Sequence, residues 1–229
     1  MKKKIIIFGT GELASIALDS FNLQNQFEIE CFTADKKFIK KNSFRNLPVV
    51  PFEDIEKNYS TKDYQMHVAL SYKELNKIRE KKYLEAKNKG YTLVSFISKD
   101  IYASKNTIFG ENCFILENQT IQDGVEIGDN VVIWSSNHIG HGTKIGKSTY
   151  ISSQVVISGN CKIGDRCFFG VNSAVADFVN IENDCFITMG SNVSSDLKQG
   201  STTIITNSKV LKKEDPLGER LKRKYFKFK

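Results

Sequence analysis

Ile133-Trp134-Ser135-Ser136-Asn137-His138-Ile139-Gly140-His141-Gly142-Thr143-Lys144-Ile145-Gly146 is the stretch on which the reading of this chain turns. Isoleucine returns at every sixth position, and the phase runs on in both directions. Counted from Phe109, the positions are Ile115, Ile121, Ile127, Ile133, Ile139, Ile145, Ile151, Ile157, Ile163, Phe169, Val175, Ile181, Ile187 and Val193. All fifteen are Ile, Val or Phe. In a chain with 40% hydrophobic residues, chance gives such a run about once in a million. An α-helix repeats about every 3.6 residues and a strand every second one, so neither accounts for the pattern. A period of six fits short flat strands joined by turns, with three such units closing one coil. The sixth-position side chain then points inward, and the coils stack about 4.8 Å apart. Glycine often follows the repeat residue, at 110, 128, 140, 146, 164 and 170. A small or β-branched residue stands four places on, as at Cys113, Val125, Val131, Thr143, Val155, Cys161, Cys167 and Cys185. The sequence therefore predicts a parallel β-helix over residues 97–198, five to six coils long, with no loop breaking the phase. The cysteines in the small-residue slot read as core filler, since a free thiol behaves as a small buried hydrophobe.

Residues 1–96 follow another grammar. Lys4–Phe8 reads as a buried strand, followed by a helix to about Phe21 and strands at Phe27–Thr33 and His67–Leu70. A helix is expected over Lys73–Lys89, stopped by Gly90, and a strand over Tyr91–Ser95. That order predicts a small parallel α/β sheet of Rossmann-like type. Gly9-Thr10-Gly11 lies between strand and helix, where backbone N–H groups and the helix N-terminus suit an anion. Asp35 ends the second strand, where a dinucleotide fold would hold a ribose hydroxyl. The segment is short for a complete dinucleotide domain. NAD, a sugar nucleotide and a purely structural turn are three readings of the motif.

The chain has 229 residues and a net charge of +7, which favours anionic partners such as nucleotides, coenzymes or nucleic acid. Five cysteines, an odd number, fit a reducing cytosol. No apolar run could span a bilayer, and no signal-peptide pattern is present, so a cytoplasmic protein is expected. Residues 199–229 form a basic tail ending Leu221-Lys222-Arg223-Lys224-Tyr225-Phe226-Lys227-Phe228-Lys229. It reads as a solvated or prism-packed segment, a contact to a coenzyme phosphate, or a nucleic-acid arm, the last not expected.

Asp123, His141 and Gly159 recur at the spacing of one coil, so they share one column of the stack. A carboxylate, an imidazole and an unobstructed backbone could serve there as orienter, base and oxyanion donor. His138 lies three places before His141. Two prism histidines cannot supply the three protein ligands of a catalytic zinc site, so no metal is expected.

The unit Ile-Gly at 127–128, 145–146 and 163–164 resembles that of the left-handed β-helix acyltransferases. The whole chain is similar to one branch, the sialic acid O-acetyltransferases and nucleotide-aminosugar N-acetyltransferases. The matching segments are Ile6-Ile7-Phe8-Gly9-Thr10-Gly11, Tyr72-x-x-x-Asn76-x-x-Arg79, Ile133–His141, Ile157–Gly164 and Phe169-Gly170-Val171-Asn172-Ser173. The resemblance implies a left-handed prism, a homotrimer, and acetyl-CoA lying in the groove between two prisms. The implied coenzyme wall is Tyr150, Gly159, Val171, Met189 and Gly190. A nucleotide-linked amino sugar would be held by Thr10, Gly11, Glu12, Asp35, Ser71 and Tyr72, with His138 nearby. His141 takes the place of the general base by the spacing His-x-x-x-Ile-Gly. The chain departs from the family at Gly142, often acidic there, at Tyr150, often His, and at Ser71 and Met189, often Gly. The implied activity is N-acetylation of a nucleotide-linked amino sugar for surface glycan synthesis. A sugar O-acetyltransferase and a non-catalytic scaffold are the alternatives.

Overall fold

The computed structural model describes residues 2–205 and 211–226. The first domain comprises β1 (Lys3–Phe8), α1 (Glu12–Gln24), β2 (Phe27–Ala34), β3 (Ser43–Phe44), β4 (Leu47–Pro51), β5 (Tyr64–Val68) and α2 (Lys77–Asn88). Its sheet runs β3-β4-β2-β1-β5, parallel except for the β3–β4 hairpin. Ile5, Ile6 and Ile7 are all fully buried, because β1 is central and covered on both faces.

Four details differ from the sequence reading. The strand expected at His67–Leu70 is β5, which begins three residues earlier and ends at Val68. The edge hairpin of β3 and β4 was not anticipated. Helix α2 begins at Lys77 rather than Lys73, because Glu74, Leu75 and Asn76 take φ of 52°, 48° and 68°. Three successive left-handed residues without a glycine cannot continue a right-handed helix. Tyr91–Ser95 makes only a single bridge, Leu93 to Met66, before the chain leaves for the prism.

Seventeen two-residue strands follow, from β6 (Phe96–Ile97) to β22 (Asn192–Val193), evenly spaced at the period of the isoleucines. They stack as three parallel sheets of six, six and five strands, each strand paired with its equivalent in the next coil. The first face carries Val132–Ile133, Tyr150–Ile151 and Phe168–Phe169. The second carries His138–Ile139, and the third Lys144–Ile145. The isoleucine rows and Cys113, Cys161, Cys167 and Cys185 form one core. The glycines after the isoleucines are required by coil spacing. A Cβ on Gly170 would lie 2.4 Å from the Met189 backbone nitrogen, and one on Gly140 2.5 Å from that of Gly159. A further partial turn continues to Thr203, whose N–H donates to Phe186 O at 3.0 Å.

The α/β domain packs on the first face, where Leu13, Ala17 and Phe21 of α1 meet Phe96, Phe114, Val132 and Tyr150. Asn76 and Arg79 tie α2 to the prism edge beside that face. Both are fully buried. Arg79 Nη2 donates to Ser148 O at 2.6 Å and Nη1 to Asn76 Oδ1 at 2.9 Å. Asn76 Nδ2 donates to Cys167 O at 3.0 Å. Burial lowers the Arg79 guanidinium to about 10, which leaves it charged at neutral pH. Its partners are carbonyl oxygens, and no carboxylate pairs with it among the described residues. Helix α3 (Pro216–Phe226) lies beyond the prism, within the segment read as a tail; 206–210 and 227–229 of that tail lie outside the described residues.

Candidate active site

The expected nucleotide-binding residues divide among three hollows. Gly11, Glu12, Ser71 and Tyr72 line one cleft of about 550 Å³, between the α/β domain and the first prism face. Trp134 and Tyr150 close it from the prism side. Gly9 makes the turn possible: its φ is 124°, and a Cβ there would sit 2.7 Å from Ala69 O. Thr10 faces a separate hollow with Phe38, Lys40, Lys41 and Phe44. Asp35 is in neither. Its carboxylate accepts from Lys82 Nζ at 2.6 Å, in a third hollow beside Phe52. Lys82 reaches it across the rings of Phe8 and Phe52. The ribose-holding role expected of Asp35 therefore meets a carboxylate that already has a partner.

Three of the expected coenzyme-wall residues do come together. Tyr150, Val171 and Met189 line a groove of about 570 Å³, with Tyr72, Trp134, Phe168 and Phe186. Tyr150 stacks on Phe168 with centroids 5.4 Å apart, and Tyr72 meets both rings edge-on. The indole N–H of Trp134 donates to the Tyr150 hydroxyl. Burial pushes the Tyr150 phenol up to about 12, so it stays protonated. Gly190, with φ of 70°, sits in the turn beside Met189. Gly159 lies elsewhere.

Gly159 belongs with His141, in the turns joining the second and third faces. That edge of the prism is opposite the first face. His141 is exposed, and its ring lies against Gly159, where a Cβ would be 2.6 Å from Cε1 and 2.8 Å from Nε2. The predicted column exists, but its chemistry differs. Asp123 turns toward the coil before it, accepting from Ser104 Oγ at 2.6 Å and Asn106 Nδ2 at 2.9 Å. Those donors hold its carboxyl below the usual range. The contact expected of Asp123 falls to Gln122, whose Oε1 accepts from the His141 backbone N–H at 2.9 Å and faces Nδ1 at 3.3 Å. An amide oxygen at Nδ1 selects the tautomer with the proton there and leaves the lone pair on Nε2. Asn160 Nδ2 approaches that Nε2 at 3.3 Å. The Gly159 N–H, expected as an oxyanion donor, is donated to Asp177 Oδ1 at 2.8 Å. The glycine thus makes room for the ring and has no free donor. His138 is half-buried, facing outward from the second face. His67 is buried in the α/β domain, its Nδ1 2.9 Å from Val94 O. Gln122 and Asn160 were missed because each stands one position off the column that holds His141.

Residues 106–177 match the bacterial transferase hexapeptide (six repeats), and residues 160–195 match the hexapeptide repeat of succinyl-transferase. No curated protein sequence matches the chain. Among solved structures, the acetyltransferase domain of PglB from Neisseria gonorrhoeae is similar, with 21% identity and a TM-score of 0.78. The alignment covers 88% of this chain and 96% of that one. PerB from Caulobacter crescentus, solved with CoA and GDP-perosamine, has 21% identity, a TM-score of 0.77, and coverage of 87% and 92%. WeeI from Acinetobacter baumannii has 14% identity, a TM-score of 0.56, and coverage of 86% and 94%. Residues 106–195 thus carry hexapeptide repeats that match transferase models, and the fold is that of an α/β domain joined to a left-handed β-helix.

Proposed function

We propose that the protein is an acetyl-CoA-dependent N-acetyltransferase acting on a nucleotide-linked amino sugar. The observation that carries this reading is His141: an exposed imidazole with Gln122 at Nδ1, laid over a glycine on a transferase-type prism. PerB, similar in fold, was solved with CoA and a nucleotide-linked amino sugar. The amine attacks the thioester carbonyl, a C–N bond forms, and the C–S bond breaks. His141 Nε2 takes the proton that the amine must lose and can return it to the leaving thiolate. Asn160 yields its place at Nε2 to the substrate amine. An oxyanion donor from Gly159 requires Asp177 to release the N–H.

The cleft at Gly11, Glu12, Ser71 and Tyr72 lies on the first face, and His141 lies on the opposite edge. A sugar nucleotide held in that cleft would have the whole prism between it and the His141 of its own chain. This supports a homotrimer in which the cleft of one protomer faces the histidine edge of its partner, with the Tyr150–Val171–Met189 groove receiving the coenzyme.

The test is a panel of nucleotide-linked amino sugars and hydroxyl analogues with acetyl-CoA, followed by thiol release. Turnover of an amino sugar supports the reading. Turnover of hydroxyl acceptors alone makes the protein an O-acetyltransferase. CoA binding without turnover of any acceptor makes it a scaffold.

A further inference from the structure

The net charge of the chain is +7, yet five units of it fall in the last fourteen residues, which hold six cations and one carboxylate. The rest of the chain is nearly balanced. Within the described part of that segment, α3 has the sequence Pro216-Leu217-Gly218-Glu219-Arg220-Leu221-Lys222-Arg223-Lys224-Tyr225-Phe226. Leu217, Leu221 and Tyr225 recur every fourth residue, so their positions trace one line along the helix over an arc of about 80°. Arg220 and Lys224 fall on one side of that line and Lys222 on the other, while Arg223 and Phe226 lie on the opposite face. The single acid, Glu219, sits 2.8 Å from Lys222. Among the described residues, every hydrogen bond and ion pair of 211–226 stays within the segment. Leu217 N–H goes to Asp215, Glu219 N–H to Asp215 O, and Lys222 to Glu219. Among those residues, neither domain holds the helix by a polar contact.

We infer that α3 is a docking element for an acidic phospholipid surface. A line of Leu and Tyr flanked by Lys and Arg matches both layers of such a surface, cations against headgroups and apolar residues at the acyl boundary. A phosphodiester backbone or a coenzyme phosphate would use the cations and leave the apolar line without a partner. No helix among the described residues is long and apolar enough to cross a membrane, so this contact lies along the surface. The inference is independent of the proposed catalysis, because it rests on charge partition and helix register alone.

The 229-residue chain is sedimented with phosphatidylglycerol–phosphatidylcholine vesicles and with pure phosphatidylcholine vesicles, at low and high salt. The expected result is at least about tenfold more protein bound to the acidic vesicles, with most of it released by salt. A chain ending at Asp215 should not bind. Leu221→Gln keeps every cation and should still lose most of the binding. The inference is overturned if the shortened chain binds equally, if neutral vesicles bind as well, or if Leu221→Gln binds like the parent. It is also overturned if polyuridylate retains the protein more tightly than the vesicles do. A shortened chain with an unchanged vesicle profile but a raised KM for acetyl-CoA would assign the helix to the coenzyme instead.

Discussion

At the scale of single residues, His141 is held by groups that differ from those its column position suggested. The stack puts Asp123 directly beneath it, yet side chains at the prism edge reach diagonally, and Gln122 makes the contact. His141→Asn should lower kcat by about 10²–10⁴-fold with ligand binding kept, as measured by turnover and calorimetry. Gln122→Ala should lower kcat by about tenfold, since the amide that orients the ring is removed. Asp123→Asn should leave kcat nearly unchanged, because that carboxylate faces Ser104 and Asn106. His67 offers a second test, on stability. Desolvation by burial lowers it from 6.5 to about 4 in the folded protein. The unfolded chain therefore takes up this proton first as pH falls. Its contribution is full above about 6.5 and is lost between 6.5 and 4, amounting to about 3 kcal/mol. Urea midpoints should fall across that window, and His67→Gln should flatten the slope.

At the scale of elements, the two halves were unequally legible. The prism could be read because one inward side chain in six is a strict requirement that the sequence displays fifteen times. The β3–β4 hairpin could not, because short edge strands bearing Pro48 and Pro51 have no periodicity. The onset of α2 was obscured by the left-handed turn at Glu74–Asn76, a conformation that sequence propensity disfavours and that ends on the buried, hydrogen-bonded Asn76. Asn76 and Arg79 were legible only as matching letters, and the structure gives them work as the clasp between domains. Arg79→Met removes the buried donors and orphans Ser148 O and Asn130 O. It should cost about 2–4 kcal/mol in urea unfolding. Because Arg79 also reaches Ser71 O at 3.4 Å, the KM for the sugar nucleotide should rise more than that for acetyl-CoA.

At the scale of the whole molecule, the opposition of cleft and histidine edge predicts an assembly that shares its sites. Sedimentation should give about three chains per particle. His141→Asn and a cleft-blocked Ser71→Trp chain should each be inactive alone. Co-expressed in equal amounts, they should recover about a quarter of the parental activity, since random trimers place an intact cleft against an intact histidine with that frequency. No recovery would mean that each chain uses its own residues.

The unbroken phase of the prism also has a mechanical consequence. Within the prism each coil pairs only with its neighbours, and no loop or disulfide crosses the stack. Pulled from its C-terminal end in an optical trap, the prism should give way like a ratchet rather than all at once. Each click should release one coil, about 60 Å of chain, until the clasp at Arg79 is reached and a larger step follows.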